Sequence, residues 1–174
     1  MAMRLALCSL CLAACTSAAG DAGRAGDAHE NARSTAPRDA GYQCPVTIDT
    51  RNDPPEMWGN ESLGVVLYDQ GRVVFAPGGP GFVLRDGALS MKFGWVKRRP
   101  GPIGVTGRRL DGDAPPLRAR ISEPMGKTGG LSSYLSFPTP GCWEVTGRVG
   151  EHWPLTFVTL VVKIGEGPPG RGDW

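Results

Sequence analysis

From Cys44 onward the chain is a run of short apolar stretches, broken every eight to twelve residues by Gly, Pro or Asp. That spacing predicts strands joined by tight turns in an all-β sandwich or barrel. The clearest period lies in residues 88–96, where Leu89, Met91, Phe93 and Trp95 alternate with Ser90 and Lys92. Alternation of this kind puts every large apolar group on one face of a half-buried strand. Residues 82–85 lead into that strand through Asp86-Gly87, a strong hairpin turn. Residues 63–68 and 72–76 flank Asp69-Gln70-Gly71 and read as a second hairpin. Further strands are predicted at 103–110, 117–121, 131–137, 142–149 and 155–164, and nothing long has a helical period.

The two ends of the chain lack this pattern. Residues 16–42 are Ala, Gly, Asp, Arg, Ser and Pro with almost no large apolar group, so they bury too little surface to offset the entropy of ordering. They read as a tether, whose flexible-coil span is about 30 Å. Residues 166–174 read as a flexible polar tail. One domain, 43–165, remains. The 26 Gly and 16 Pro exceed average usage without any collagen period, as turn-rich β proteins do.

Charge narrows the partners. Nineteen Lys and Arg against 17 Asp and Glu leave no bulk field to attract nucleic acid or an acidic polymer. Local patches must carry any such role. Of the five cysteines, Cys8, Cys11 and Cys15 lie near the start, which leaves Cys44 and Cys142 in the domain. In an oxidising compartment such a pair predicts a disulfide; with no CxxC and only two histidines, a zinc site is a poor alternative.

The first fifteen residues carry a resemblance. Met1 to Arg4 form a charged start, Leu5 to Ala14 an apolar stretch, and Leu12-Ala13-Ala14-Cys15 its end. The stretch is far shorter than the roughly 20 apolar residues a spanning helix needs. It resembles the signal of a bacterial lipoprotein, which implies removal of residues 1–14, lipidation of Cys15, and residues 15–42 as a lipid-bearing tether in the cell envelope. A second resemblance rests on Pro140-Gly141-Cys142-Trp143-Glu144-Val145-Thr146-Gly147, followed after a loop by residues 155–162. This pair is similar to the closing hairpin of immunoglobulin-like sandwiches, although Cys44 stands at the very start of the domain and Trp143 follows its cysteine. The disulfide would then tie the first segment to the penultimate strand. As a whole, 43–165 looks like uncharacterised secreted domains of bacterial lipoproteins, a resemblance that implies no activity.

Catalytic chemistry has little to work with. An imidazole base would have to be His152, because His29 lies in the tether, and neither a G-x-S-x-G elbow nor HExxH is present. Asp111, Asp113, Glu123, Glu144 and Glu151 are the carboxylates from which a hydrolytic pair could be drawn. Asp111 and Asp113 alone fall short of the six to eight oxygens of a calcium site. Asn60-Glu61-Ser62 matches a glycosylation acceptor only as a three-residue coincidence.

The anion-binding candidates are Lys97, Arg98, Arg99, Arg108 and Arg109. If residues 91–96 and 103–110 are adjacent antiparallel strands, both basic groups share one end of the sandwich and offer forked donors to a phosphate, sulfate or carboxylate polymer. Trp95 is assigned to the core. The reading is a monomeric, membrane-anchored, non-enzymatic binding module with no metal, cofactor or nucleic acid, whose partner is an envelope protein or anionic envelope polymer. The alternative is an envelope hydrolase using carboxylates or His152.

Overall fold

A computed structural model describes residues 42–50, 57–122 and 126–172. The signal, Cys15, His29 and all of the tether except Tyr42 lie outside the described residues, as does Glu123. Ten strands occur in order: β1 (Trp58–Gly59), β2 (Leu63–Val65), β3 (Arg72–Phe75), β4 (Phe82–Val83), β5 (Leu89–Lys97), β6 (Ile103–Arg109), β7 (Arg118–Ile121), β8 (Gly129–Phe137), β9 (Gly141–Val149) and β10 (Leu155–Lys163). They form two sheets. One runs β1-β2-β5-β8-β7, with β4 also on β5; the other runs β3-β10-β9-β6.

Every pairing is antiparallel except β3 with β10, which is parallel. The core order β2-β5-β8-β7 facing β3-β10-β9-β6 corresponds to the A-B-E-D and G-F-C sheets of immunoglobulin-like domains. The first strand of that scheme is here divided between the two sheets.

That division corrects the predicted hairpin over residues 63–76. β2 pairs with β5 in the first sheet and β3 with β10 in the second, so the two segments never face each other. The cause is local. Gln70 and Gly71 both adopt positive φ, 50° and 65°, and turn the chain out of one sheet into the other. A side chain on Gly71 would meet Val46 and the Thr47 carbonyl oxygen at 2.7 and 2.8 Å, so only glycine fits beneath the entering chain. The hairpin through Asp86-Gly87 forms as the pattern predicts: Phe82 pairs with Ser90 and Val83 with Leu89.

Leu89, Met91, Phe93 and Trp95 of β5 point between the sheets and pack with Trp143, Val145 and Val149 of β9 and Phe157 of β10. Burial of these side chains supplies the main favourable term in folding. The Trp95 indole donates to Ser133 Oγ (2.8 Å), which satisfies its one polar atom. Its ring lies so close to β9 that a Cβ on Gly147 would sit 2.7 Å from Leu63 and 3.0 Å from Trp95. Gly147 therefore lets the largest core side chain reach the opposite backbone.

Two further contacts frame the domain. Cys44 and Cys142 are joined by a disulfide with Cα atoms 5.5 Å apart, and the Thr47 N–H donates to the Val158 carbonyl at 2.8 Å. The entering chain is thus fastened to β9 and to β10. At the other terminus, residues 166–172 are not the free tail that composition predicts. Gly167 and Pro168 are buried, Val83 N–H donates to Pro169 O (3.3 Å), and Arg171 N–H donates to Val83 O (2.9 Å). The Arg171 guanidinium lies 5.3 Å from the centre of the Phe82 ring. Short β4 leaves an open edge whose backbone groups need partners, and the Pro-rich segment supplies them.

Candidate functional site

The basic residues singled out in the sequence are not brought together. β5 and β6 belong to different sheets, so they are not the adjacent strands the patch requires. β6 pairs Ile103 with Val149 and Arg109 with Trp143, and it carries the chain from one end of the sandwich to the other. Lys97, Arg98 and Arg99 stand at the first end, Arg108 and Arg109 at the second.

Each of the five is engaged. Lys97 is only 4% exposed and donates its Nζ to Gly101 O at 2.8 Å. It follows the inward phase of β5 and is lost as a surface charge. Arg98 donates to Asn60 O (2.7 Å) and Met57 O (3.5 Å), and Arg99 lies 4.0 Å from Glu61. Arg108 pairs with Glu144 at 2.8 Å and Arg109 with Asp111 at 2.7 Å. A shared anion-binding patch of these residues is therefore withdrawn.

The candidate carboxylates are dispersed as well. Glu144 and Asp111 each face an arginine, while Asp113, Glu151 and His152 are exposed. Burial pushes the Asp111 pKa up, but hydrogen bonds from the Arg109 guanidinium and the Cys142 N–H, with the arginine charge, bring it below the usual value. Gly141, at φ 142°, makes room for this pair: a Cβ there would meet Arg109 Nε at 2.5 Å and Asp111 Oδ1 at 2.8 Å. Exposed Asp86 is lowered too, by the Ala88 N–H first and by Arg118.

A depressed folded pKa contributes stability that is present above the unfolded value, near 3.9, and is lost as pH falls through the folded one. Urea midpoints are thus expected to stay level from about pH 7 to 5 and to drop below about pH 4. An Asp111→Asn variant should show a shallower drop. Identical profiles for the two proteins would contradict this account of Asp111.

What does stand out at the first end is a side chain that strand periodicity gave no reason to single out. The turn between β9 and β10 holds Trp153 at 85% exposure, the most exposed large apolar residue described. Exposure here is not looseness. Gly150 N–H donates to Pro102 O (2.8 Å) and His152 N–H to Val149 O (3.0 Å). Asn60 Nδ2 donates to both Trp153 O (3.3 Å) and Pro154 O (3.1 Å).

Asn60 is itself fixed. Its Oδ1 accepts from the Ser62 and Leu63 N–H groups at 2.9 and 3.0 Å, and its carbonyl from Arg98. One residue, through its side chain and its carbonyl, thus ties three loops together and holds the turn while the indole stays in water. The sequence signal was available: Trp153 falls between His152 and Pro154, inside a predicted turn and outside any strand phase.

The second end holds a groove of about 530 Å³ on the outer face of the β3-β10-β9-β6 sheet. Its lining includes Tyr42, Ile48, Gln70, Arg72, Asp111 and Leu160. Groups of three or more His, Cys, Asp or Glu able to hold a metal are absent among the described residues. No protein-family model matches the chain and no curated protein is detectably similar to it, so its function has to be argued from these two sites.

Proposed function

We propose that the chain is a lipid-anchored, non-enzymatic binding module of the bacterial cell envelope, and that the loops around Trp153 are its recognition surface. The observation that carries this reading is the indole exposed on a turn fixed by Asn60. A rigid aromatic in water costs free energy that contact with a partner recovers, and little conformational entropy is lost on binding. Tryptophan accordingly dominates many binding surfaces.

Geometry supports the same assignment. The disulfide holds the entering chain at Cys142, near the start of β9, and the Trp153 turn follows the end of that strand. At about 3.4 Å per residue the two points are separated by roughly 27 Å along β9. A tether joined at one end leaves the recognition loops at the other, directed away from the anchoring membrane.

The test compares full-length wild type with Trp153→Ala in pull-downs from solubilised native envelopes. The variant is expected to keep its urea midpoint and to lose at least about tenfold in recovery of whatever the wild type retains. Equal recovery by both proteins refutes the recognition surface. Fractionation in parallel tests the anchor, because Cys15→Ser should move the protein to the soluble fraction; a variant that still sediments with membranes refutes lipidation at Cys15 as the attachment.

A further inference from the structure

We infer that the outer face of the sheet holding β5, β8 and β7 is a second binding surface, apart from the Trp153 turn, and that it takes a linear acidic polysaccharide. Register assembles it. Leu89, Met91, Phe93 and Trp95 of β5 face the core, so Lys92 between them faces out. Lys92 pairs with Tyr134 of β8, and Tyr134 pairs with Arg120 of β7, so the three stand side by side across the sheet. Two interstrand spacings of about 4.8 Å put the Lys92 and Arg120 backbones roughly 10 Å apart. One row nearer the second end, Phe82, Ser90, Ser136 and Arg118 are aligned in the same way.

The charge on this face has one sign. Lys92, Arg118 and Arg120 are exposed, and segments 84–88 and 170–172 add exposed Arg85 and Arg171, which line a shallow recess of about 290 Å³ beside Gly170 and Gly172. Those two segments and strands β4, β5, β7 and β8 contain a single carboxylate, Asp86, and Arg118 takes it up at 2.6 Å. Arg85, Lys92 and Arg171 make no ion pair among the described residues. Arg171 is also held in place, since its guanidinium lies 5.3 Å from the centre of the Phe82 ring, which in turn lies 5.5 Å from that of Tyr134. A guanidinium laid over a ring keeps its forked N–H groups for an anion.

Shape and chemistry select the polymer. Cations spread over a sheet face are not met together by one small anion, whereas an anionic group repeated along a chain meets them in turn. Next to the Tyr134 row, Gly94 pairs with Ser132 and Ser122 bonds to Ser132, and beyond them a Cβ on Gly130 would meet nothing within 4 Å. These small residues let a chain lie flat on the sheet, and the exposed Ser122 and half-buried Ser132 offer hydroxyls to those of a sugar. Nucleic acid would need exposed rings on which its bases stack. Here Phe82 is buried and Tyr134 half-buried.

Calorimetric titration of the full chain with the octasaccharide of galacturonic acid tests this surface. Binding is expected with a Kd below about 1 mM in dilute buffer, and at least about tenfold weaker in about 0.5 M salt. Lys92→Gln combined with Arg120→Gln should weaken it at least about fivefold. Arg108→Gln combined with Arg148→Gln, which removes the same charge from the other sheet, should change it less than about twofold. Amide NMR of the wild type should place the shifts at residues 82–92, 118–122, 130–136 and 170–172 and leave 150–154 unmoved, which separates this surface from the Trp153 loops. Equal affinity for neutral maltooctaose or for octaglutamate, an equal loss in both double variants, or no saturation by about 10 mM overturns the proposal. If the Lys92 and Arg120 double variant does not fold, the salt dependence and the shift map of the wild type decide the matter alone.

Discussion

Replacing Cys44 and Cys142 together by Ser is expected to lower the unfolding free energy by about 4 kcal/mol. The bond links positions 98 residues apart, and in the chain-entropy model a loop of about 100 residues restrains the unfolded chain by roughly 4.7 kcal/mol. Some of that is offset, since the entering chain keeps its hydrogen bonds to β10 through Thr47. Urea denaturation of the oxidised protein and the double variant measures the difference. The slope should also rise, because an unfolded chain freed of the cross-link exposes more surface. A loss under about 1 kcal/mol with unchanged slope would mean that the protein does not carry the bond.

Trp143→Ala is expected to cost about 3–5 kcal/mol. The side chain is fully buried, stands edge-on to Phe137 with ring centres 5.7 Å apart, and donates its indole N–H to Thr139 O at 3.0 Å. Truncation removes the packing and leaves a cavity between sheets that are held apart by β9's neighbours. It also leaves the Thr139 carbonyl without this donor, although that group lies near the β8–β9 turn and can turn to water. A cost below about 1 kcal/mol would mean that the core relaxes around the gap. Because Trp143 adjoins Cys142, this loss and that of the disulfide should not add.

Much of the sandwich was legible along the chain, and the part that was not has a physical explanation. Strands β5 to β10 follow from an alternation that burial enforces: shifting Leu89 or Trp143 by one residue would turn a whole face to water. Pairing is another matter. β2 and β3 look like a hairpin because the Asp69-Gln70-Gly71 connection suits one, yet nothing local records that Val46 and Thr47, far upstream, occupy the space beside Gly71.

The same limit undid the basic patch. Lys97 reads as a surface charge until its strand phase is extended one step past Trp95, and Arg108 reads as near Arg99 until β6 is placed in the other sheet. The surface that replaced it depends on a long-range partner. Asn60 passed for a chance glycosylation match, although its side chain fixes a turn 93 residues away. The tail failed for a similar reason, since its composition is polar while its backbone serves an edge made elsewhere.

The disulfide also sets the route of mechanical tension. If the loops around Trp153 grip a fixed partner while the chain before Cys44 is pulled, tension enters at Cys44, crosses to Cys142, and follows the β9 backbone to the turn at Gly150. That route is covalent throughout. Residues 45–141, which include strands β1 to β8 in full and most of the core, hang from it as a closed loop and carry none of the pull. An oxidised head can therefore be tugged without unravelling, whereas in a reduced one the same tug acts on the hydrogen bonds that fasten Thr47 to β10.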